Sequence, residues 1–114
     1  FSKAAFAYAA SKAAIRATTK SIACLSTESG YGLRCNSIHP YNMATPMLEG
    51  VQEQVRLGNP EAAAGMDQVW VGEADDVANM VLFLASEESK AVNGAALVID
   101  NTATVTQAAV MKQV

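Results

Sequence analysis

The 114 residues are 51% hydrophobic and 17% charged, with a formal net charge of −3. That balance describes a globular chain with enough apolar material for a core and excludes intrinsic disorder. The basic residues are scattered, which argues against a nucleic-acid or anionic-membrane surface, and no apolar run reaches the ~18 residues of a membrane-spanning helix.

Phe1 to Phe6 is a short lead-in. From about Tyr8 to Ser29 the chain is rich in alanine, with Ile15, Ile22 and Leu25 at helical spacing and Arg16, Lys20 and Glu28 available for solvent, which predicts a helix. Within it Tyr8 and Lys12 stand one turn apart on one face. A phenol titrates near ~10 and is a poor proton donor at neutral pH, whereas a cation a few ångströms away favours the phenolate. Tyr8 is therefore a candidate acid or base with Lys12 as its tuning charge. A Tyr and a Lys four apart also occur on many helices as no more than a buried ring and a solvated amine.

Gly30-Tyr31-Gly32 stops the helix, since glycine is favoured just past a helix end. It follows a helix and does not open one, so it lacks the context of a phosphate-cradling glycine loop. Leu33 to Ile38 is short, alternating and bounded by Gly32 and Pro40, and reads as a strand. Helix, glycine turn and strand make the αβ half of a βαβ unit, which implies a parallel sheet whose ligands bind beyond the carboxyl ends of its strands. His39 to Met47 lies at such an end.

Met47, Leu48, Val51 and Val55 fit a short amphipathic helix, after which Gly58, Asn59-Pro60 and Gly65 predict a mobile segment up to residue 72. Its apolar side chains suit a hydrophobic substrate pocket or, equally, packing on the core or on a partner subunit. Gly72-Glu73-Ala74-Asp75-Asp76 puts acidic residues at a helix start, and Val77 to Ala85 follows. That helix is apolar on nearly every face, so burial on more than one side is expected. Glu87 to Lys90 is a polar turn, and Asn93-Gly94 leads into Ala95 to Asp100, an apolar strand of the kind found inside a parallel sheet. Asp100 is expected to anchor a turn at its end. The tail from Asn101 to Val114 reads as a short extra helix or a subunit contact. No repeat or linker marks a second domain, so residues 1–114 belong to one.

Cys24 and Cys35 lack metal-ligand spacing and read as free thiols in a reducing, cytoplasmic compartment. His39 is the single histidine, which leaves little for a histidine-based metal site or a Ser-His-Asp triad.

Tyr8-x-x-x-Lys12 with Ser11 before the lysine, then Leu33-Arg34-Cys35-Asn36-Ser37-Ile38-His39-Pro40, Thr45-Pro46-Met47, Asp76 to Ser86 and Asn93 to Asp100, resembles the short-chain dehydrogenase/reductase family. The order of these matches carries the resemblance, which covers Tyr8 to about Asn101. It implies an α/β fold, the C-terminal portion of a Rossmann-like doubly wound parallel sheet whose N-terminal half is absent, since family domains run to roughly 250 residues. It also implies hydride transfer between NAD or NADP and a small hydrophobic secondary alcohol or ketone. In that setting Tyr8 is the acid or base at the carbonyl oxygen, and Lys12 activates it and binds the nicotinamide ribose. In the loop over the nicotinamide, Pro40, Met43 and Thr45 match the family pattern. Tyr41 stands where the family has glycine, and is expected to shift the loop or partly cover the pocket. The run from Ser37 to Met47, with Leu82 to Ser89, looks most like the bacterial hydroxysteroid dehydrogenases. The family's glycine motif and catalytic serine would precede Phe1, and Ser2 is too close to Tyr8 to be that serine. The isolated chain is accordingly expected to be inactive. The other reading is a non-catalytic assembly module, since the family's dimers and tetramers use the helices and last strand retained here.

Overall fold

The computed structural model describes residues 6–66 and 69–105; the lead-in with Ser2 and the tail beyond Val105 lie outside them. In chain order the elements are α1 (Phe6–Glu28), β1 (Ser37–Pro40), α2 (Pro46–Gly58), α3 (Pro60–Met66), α4 (Ala74–Ala85), a 3-10 turn (Glu87–Ser89) and β2 (Ala96–Ile99). The two strands form one parallel α/β sheet. Ser37 N–H donates to Ala95 O and Tyr41 N–H to Ile99 O, both at 2.9 Å, so both chains advance in the same direction. The described residues fall into two compact units, residues 6–38 with 80–97, and residues 39–66, 69–79 and 98–105.

In the first unit α1 ends where the sequence predicts. Gly30 adopts φ 68°, Tyr31 N–H donates to Ser26 O at 3.0 Å and Gly30 N–H to Thr27 O at 3.3 Å, the paired bonds that close a helix through a left-handed residue. The buried stripe differs from the expected one. Ile15, Ile22 and Leu25 are exposed, and the buried residues are Thr19, Ala23 and Ser26. The reason is close approach. A Cβ on Gly94 would sit 3.4 Å from that of Ala23, and Ser26 Oγ donates to Leu33 O at 2.8 Å and accepts from Leu33 N–H at 2.9 Å. Larger side chains would hold these segments apart.

Those bonds also correct the expected strand at Leu33 to Ile38, which is found at Ser37–Pro40. Upstream, the backbone takes side-chain partners in place of a neighbouring strand: Leu33 is held by Ser26, and Cys35 N–H donates to Asn93 Oδ1 at 2.9 Å. Asn36 bridges to Val92 O and Ala95 N–H at 2.8 and 2.9 Å. Arg34 is the centre of this unit. Its Nη2 donates to Leu84 O and Ser86 O at 2.8 and 3.3 Å, and its Nη1 to Ser89 O, Ser89 Oγ and Val92 O at 3.1, 3.0 and 3.3 Å. The guanidinium thus meets carbonyls that the end of α4 leaves unpaired, at the negative pole of its dipole. Ser89, expected in a polar turn, is fully buried beneath it. The last turns of α4 are not buried on several sides as expected: Val81 and Leu82 are exposed to solvent among the described residues.

In the second unit α2 starts at Pro46, whose missing N–H costs nothing in a first turn, with Thr45 Oγ1 accepting from Leu48 N–H at 3.4 Å. The segment expected to be mobile carries α3, which begins at Pro60, runs through an alanine triplet and packs on α2. The first turn of α4 is capped reciprocally: Glu73 N–H donates to Asp76 Oδ2 at 2.9 Å and Asp76 N–H to Glu73 O at 3.1 Å.

Asp100 anchors a turn, as expected. Its Oδ1 accepts from Thr102 N–H at 3.1 Å, and its Oδ2 from Thr104 N–H at 2.8 Å and Thr104 Oγ1 at 2.5 Å. Asn101 and Thr102 have φ of 43° and 71°. That region costs an L-residue roughly 1–2 kcal/mol and a β-branched one fits it poorly. Thr102→Gly keeps the backbone donor and is expected to raise the unfolding free energy by about 1 kcal/mol, net of glycine's extra unfolded-state entropy, as read by urea unfolding.

Candidate active site

α1 places Tyr8 and Lys12 together. Lys12 Nζ lies 5.3 Å from the centroid of the Tyr8 ring, where the negative face of the ring attracts it. One helical turn separates the residues, so the pairing needs no support from elsewhere in the fold. Ser11 turns back on the helix, donating to Tyr8 O at 2.7 Å. Tyr8 is 60% exposed, which leaves the phenol open to a solute. A proton donor and an ammonium on one accessible helix face suit a reaction in which charge develops on a substrate oxygen.

The other candidate residues are contiguous in the second unit. Pro40 ends β1, and Tyr41 follows with its N–H bonded to Ile99 O. Among the described residues the only non-glycine positions with positive φ are Asn101 and Thr102, so the backbone at Tyr41 does not need glycine and the loop keeps the strand register. Met43 is buried and forms a parallel bridge with Gly72: Gly72 N–H donates to Asn42 O at 2.9 Å and Ala44 N–H to Gly72 O at 2.8 Å. In such a bridge the N–H and C=O of Met43 itself face away from Gly72. Gly72 is required there, because a Cβ would come within 2.6 Å of the Trp70 ring and 2.8 Å of Met43 Sδ. Thr45 Oγ1 donates to Met43 O at 3.3 Å while capping α2.

Among the described residues two groups have shifted titration. The Thr104 hydroxyl, then the Thr104 and Thr102 amides, hold the Asp100 carboxyl below its ordinary range. The folded state therefore favours the carboxylate, a stabilisation present above the usual aspartate range and lost as pH falls through the lowered folded value. Asp100→Asn is expected to be less stable than the parent at neutral pH and to match it more closely in acid, as measured by urea unfolding at a series of pH values. Glu28, which accepts from Cys24 Sγ at 3.4 Å, pushes the Cys24 thiol up. Cys24 and Cys35 are both free, and no group of three or more potential metal ligands occurs among the described residues. Among those residues no helix is long and apolar enough to cross a membrane.

Residues 1–104 match a family profile described as enoyl-(acyl carrier protein) reductase. The chain belongs to the short-chain dehydrogenase/reductase family. It is 41% identical to the 2-(R)-hydroxypropyl-CoM dehydrogenase of Xanthobacter autotrophicus, over 86% of this chain and 38% of that protein. It is 39% identical to the 3-beta-hydroxysteroid dehydrogenase of Comamonas testosteroni, over 83% of this chain and 38% of that protein. The crystal structure of a short-chain dehydrogenase from Mycobacterium paratuberculosis bound to NAD superposes with a TM-score of 0.65 and 30% identity, covering 83% of this chain and 37% of the other. The family is one of oxidoreductases, and this short-chain dehydrogenase/reductase chain spans little more than a third of these relatives' length.

Sequence reasoning reached Tyr8, Lys12 and the loop from Pro40 to Thr45 but passed over Arg34, Asn36 and Gly72, which hold the framework. A lone arginine inside a short apolar stretch was the available signal for Arg34. Glycine beside Trp70 was the signal for Gly72.

Proposed function

We propose that residues 1–114 are the C-terminal part of a single NAD(P)-binding Rossmann-fold domain that reduces ketones and oxidises secondary alcohols, on apolar, hydroxysteroid-like substrates. The observation that carries this reading is Lys12 Nζ at 5.3 Å from the ring of an exposed Tyr8. The residues present fit the nicotinamide end of such a cofactor. Lys12 offers donors to ribose hydroxyls, Met43 turns its backbone groups away from Gly72, and the Thr45 hydroxyl is held only by long bonds of 3.3 and 3.4 Å. Pro40 and Tyr41 fix where that loop leaves the sheet. Bound NADH or NADPH supplies the hydride.

In ketone reduction Tyr8 Oη gives its proton to the carbonyl oxygen as the carbonyl carbon accepts the hydride. Lys12 stabilises the phenolate left behind, and solvent returns the proton. In alcohol oxidation the same oxygen takes the proton. Two free thiols suit a reducing compartment and support a cytoplasmic location. The chain alone carries no glycine-rich phosphate loop and is expected not to turn over.

The test is a chimera in which the matched region of the Comamonas testosteroni 3-beta-hydroxysteroid dehydrogenase is replaced by residues 1–104 of this chain. It should reduce a steroid or cyclic ketone with NADH or NADPH. A folded chimera without turnover would overturn the reading. The exposed Ile15, Ile22 and Leu25 of α1 favour a second role in assembly, as homodimer or homotetramer, and light scattering that finds a folded monomer at high concentration would exclude it.

A further inference from the structure

Asn93-Gly94 is the only place in the chain where an asparagine precedes a glycine. The peptide nitrogen after an asparagine can attack the side-chain Cγ and close a succinimide ring, one source of the thermal lability of asparagine. A Cβ on the following residue obstructs that approach, and glycine has none. In the first unit both reacting groups are held by one residue. Gly94 N–H donates to Cys35 O at 2.8 Å, Asn93 Oδ1 accepts from Cys35 N–H at 2.9 Å, and Asn93 Nδ2 donates to Thr27 Oγ1 at 3.4 Å. Gly94 has φ of 74° and lies so near α1 that a Cβ on it would be 3.4 Å from that of Ala23. Attack needs the nitrogen deprotonated and aligned on Cγ. The bond to Cys35 O retains that proton, and the bonds to Cys35 and Thr27 fix the plane of the carboxamide. Asn93 is exposed, so water and hydroxide reach it once the clamp on Cys35 opens.

We propose that Asn93-Gly94 is a self-modification site gated by Cys35. In a molecule whose clamp has opened, Gly94 N bonds to Asn93 Cγ and the Cγ–Nδ2 bond breaks. Ammonia leaves, taking up by way of solvent the proton that the peptide nitrogen lost. Water then opens the ring: addition at Cγ gives an aspartyl residue, and addition at the main-chain carbonyl gives an isoaspartyl residue whose chain runs on through Cβ. The isoaspartyl product does not reclose. Its extra main-chain carbon moves Gly94 away from Cys35 O and Ala23, and it shifts the Ala95 carbonyl that accepts from Ser37 N–H at 2.9 Å, where the pairing of β1 with β2 begins. The change therefore records, irreversibly, that the first unit has opened. This site is independent of the hydride-transfer reading.

The test is incubation of the full chain at mildly alkaline pH, in buffer and in concentrated urea, followed by peptide mapping with mass spectrometry. In urea, Asn93 should exchange its amide nitrogen for oxygen faster than any other asparagine, chiefly as the isoaspartyl form. In buffer the same change should be slower by about tenfold or more, as for any reaction that waits on local opening. Refolding tests the consequence. Asn93→Asp keeps the main chain and an acceptor for Cys35 N–H, so its Ser37 amide should be protected from hydrogen exchange as in the parent. The isoaspartyl chain purified from the urea reaction should lose that protection. Equal rates in buffer and urea, a faster-reacting asparagine elsewhere, or a Ser37 amide as protected in the isoaspartyl chain as in Asn93→Asp would each overturn the proposal.

Discussion

Arg34→Met is expected to destabilise the chain by about 3 kcal/mol, seen as a lowered urea midpoint and faster proteolysis near Ser86. The substitution keeps most of the aliphatic volume and removes the donors to Leu84 O, Ser86 O, Ser89 O, Ser89 Oγ and Val92 O. Hydrogen bonds to a charged group contribute roughly 1.5–3 kcal/mol each, but bonds that share one guanidinium do not add, and part of the loss is made up by water. The remaining cost lies in the acceptors left behind: the single Ser89 hydroxyl proton is shared between Leu84 O and Ser86 O, while Ser89 O keeps the Val92 N–H and Val92 O the Asn36 amide, and Ser89 is fully buried. Arg34→Lys should recover less than half of the loss, since an ammonium is a compact charge and cannot span acceptors on both sides of the turn as a planar fork does. A lysine variant as stable as the parent would show that charge at the helix end, and not the fork, is what matters.

The features legible in the sequence are those whose causes lie within a few residues. Gly30 ends α1 because the chain there must turn left-handed, and Asp100 closes a turn on Thr102 and Thr104. The placing of Lys12 on Tyr8 is likewise a consequence of helical spacing alone. What was not legible depends on partners far along the chain. The acceptors of Arg34 lie 50 to 58 residues downstream, and nothing near residue 34 announces them. Because Ser26 and Asn93 satisfy the backbone from Leu33 to Cys35, the strand begins at Ser37, later than alternation suggests. α1 buries Thr19, Ala23 and Ser26 in place of its isoleucines for a similar reason: the short distance to Gly94 and Leu33 admits only small groups, a constraint that hydrophobic periodicity does not encode. α3 was obscured by its own breakers, since Pro60 opens a helix as readily as it ends one.

In the chimera with the Comamonas testosteroni enzyme, Tyr8→Phe is expected to lower kcat for ketone reduction by about 10²–10⁴ and to leave KM for the ketone nearly unchanged. Phenylalanine keeps the ring, and with it the face on which Lys12 rests, but has no proton to give to the carbonyl oxygen. Because Tyr8 is 60% exposed on a helix made mostly of alanine and other small residues, the substitution removes no buried contact, and a loss of activity would not be a loss of fold. Lys12→Met should behave differently. Removing the ammonium takes away both the charge beside the phenol and the donors to the ribose hydroxyls, so kcat should fall and KM for the nicotinamide cofactor should rise, the latter by roughly ten- to a hundredfold for lost charge-assisted hydrogen bonds. The two substitutions together should cost little more than Tyr8→Phe alone in kcat, because Lys12 acts on the proton transfer only through the phenol. Full additivity in kcat would mean that Lys12 acts on the substrate by a separate route. Turnover surviving in Tyr8→Phe would remove Tyr8 from the chemistry altogether.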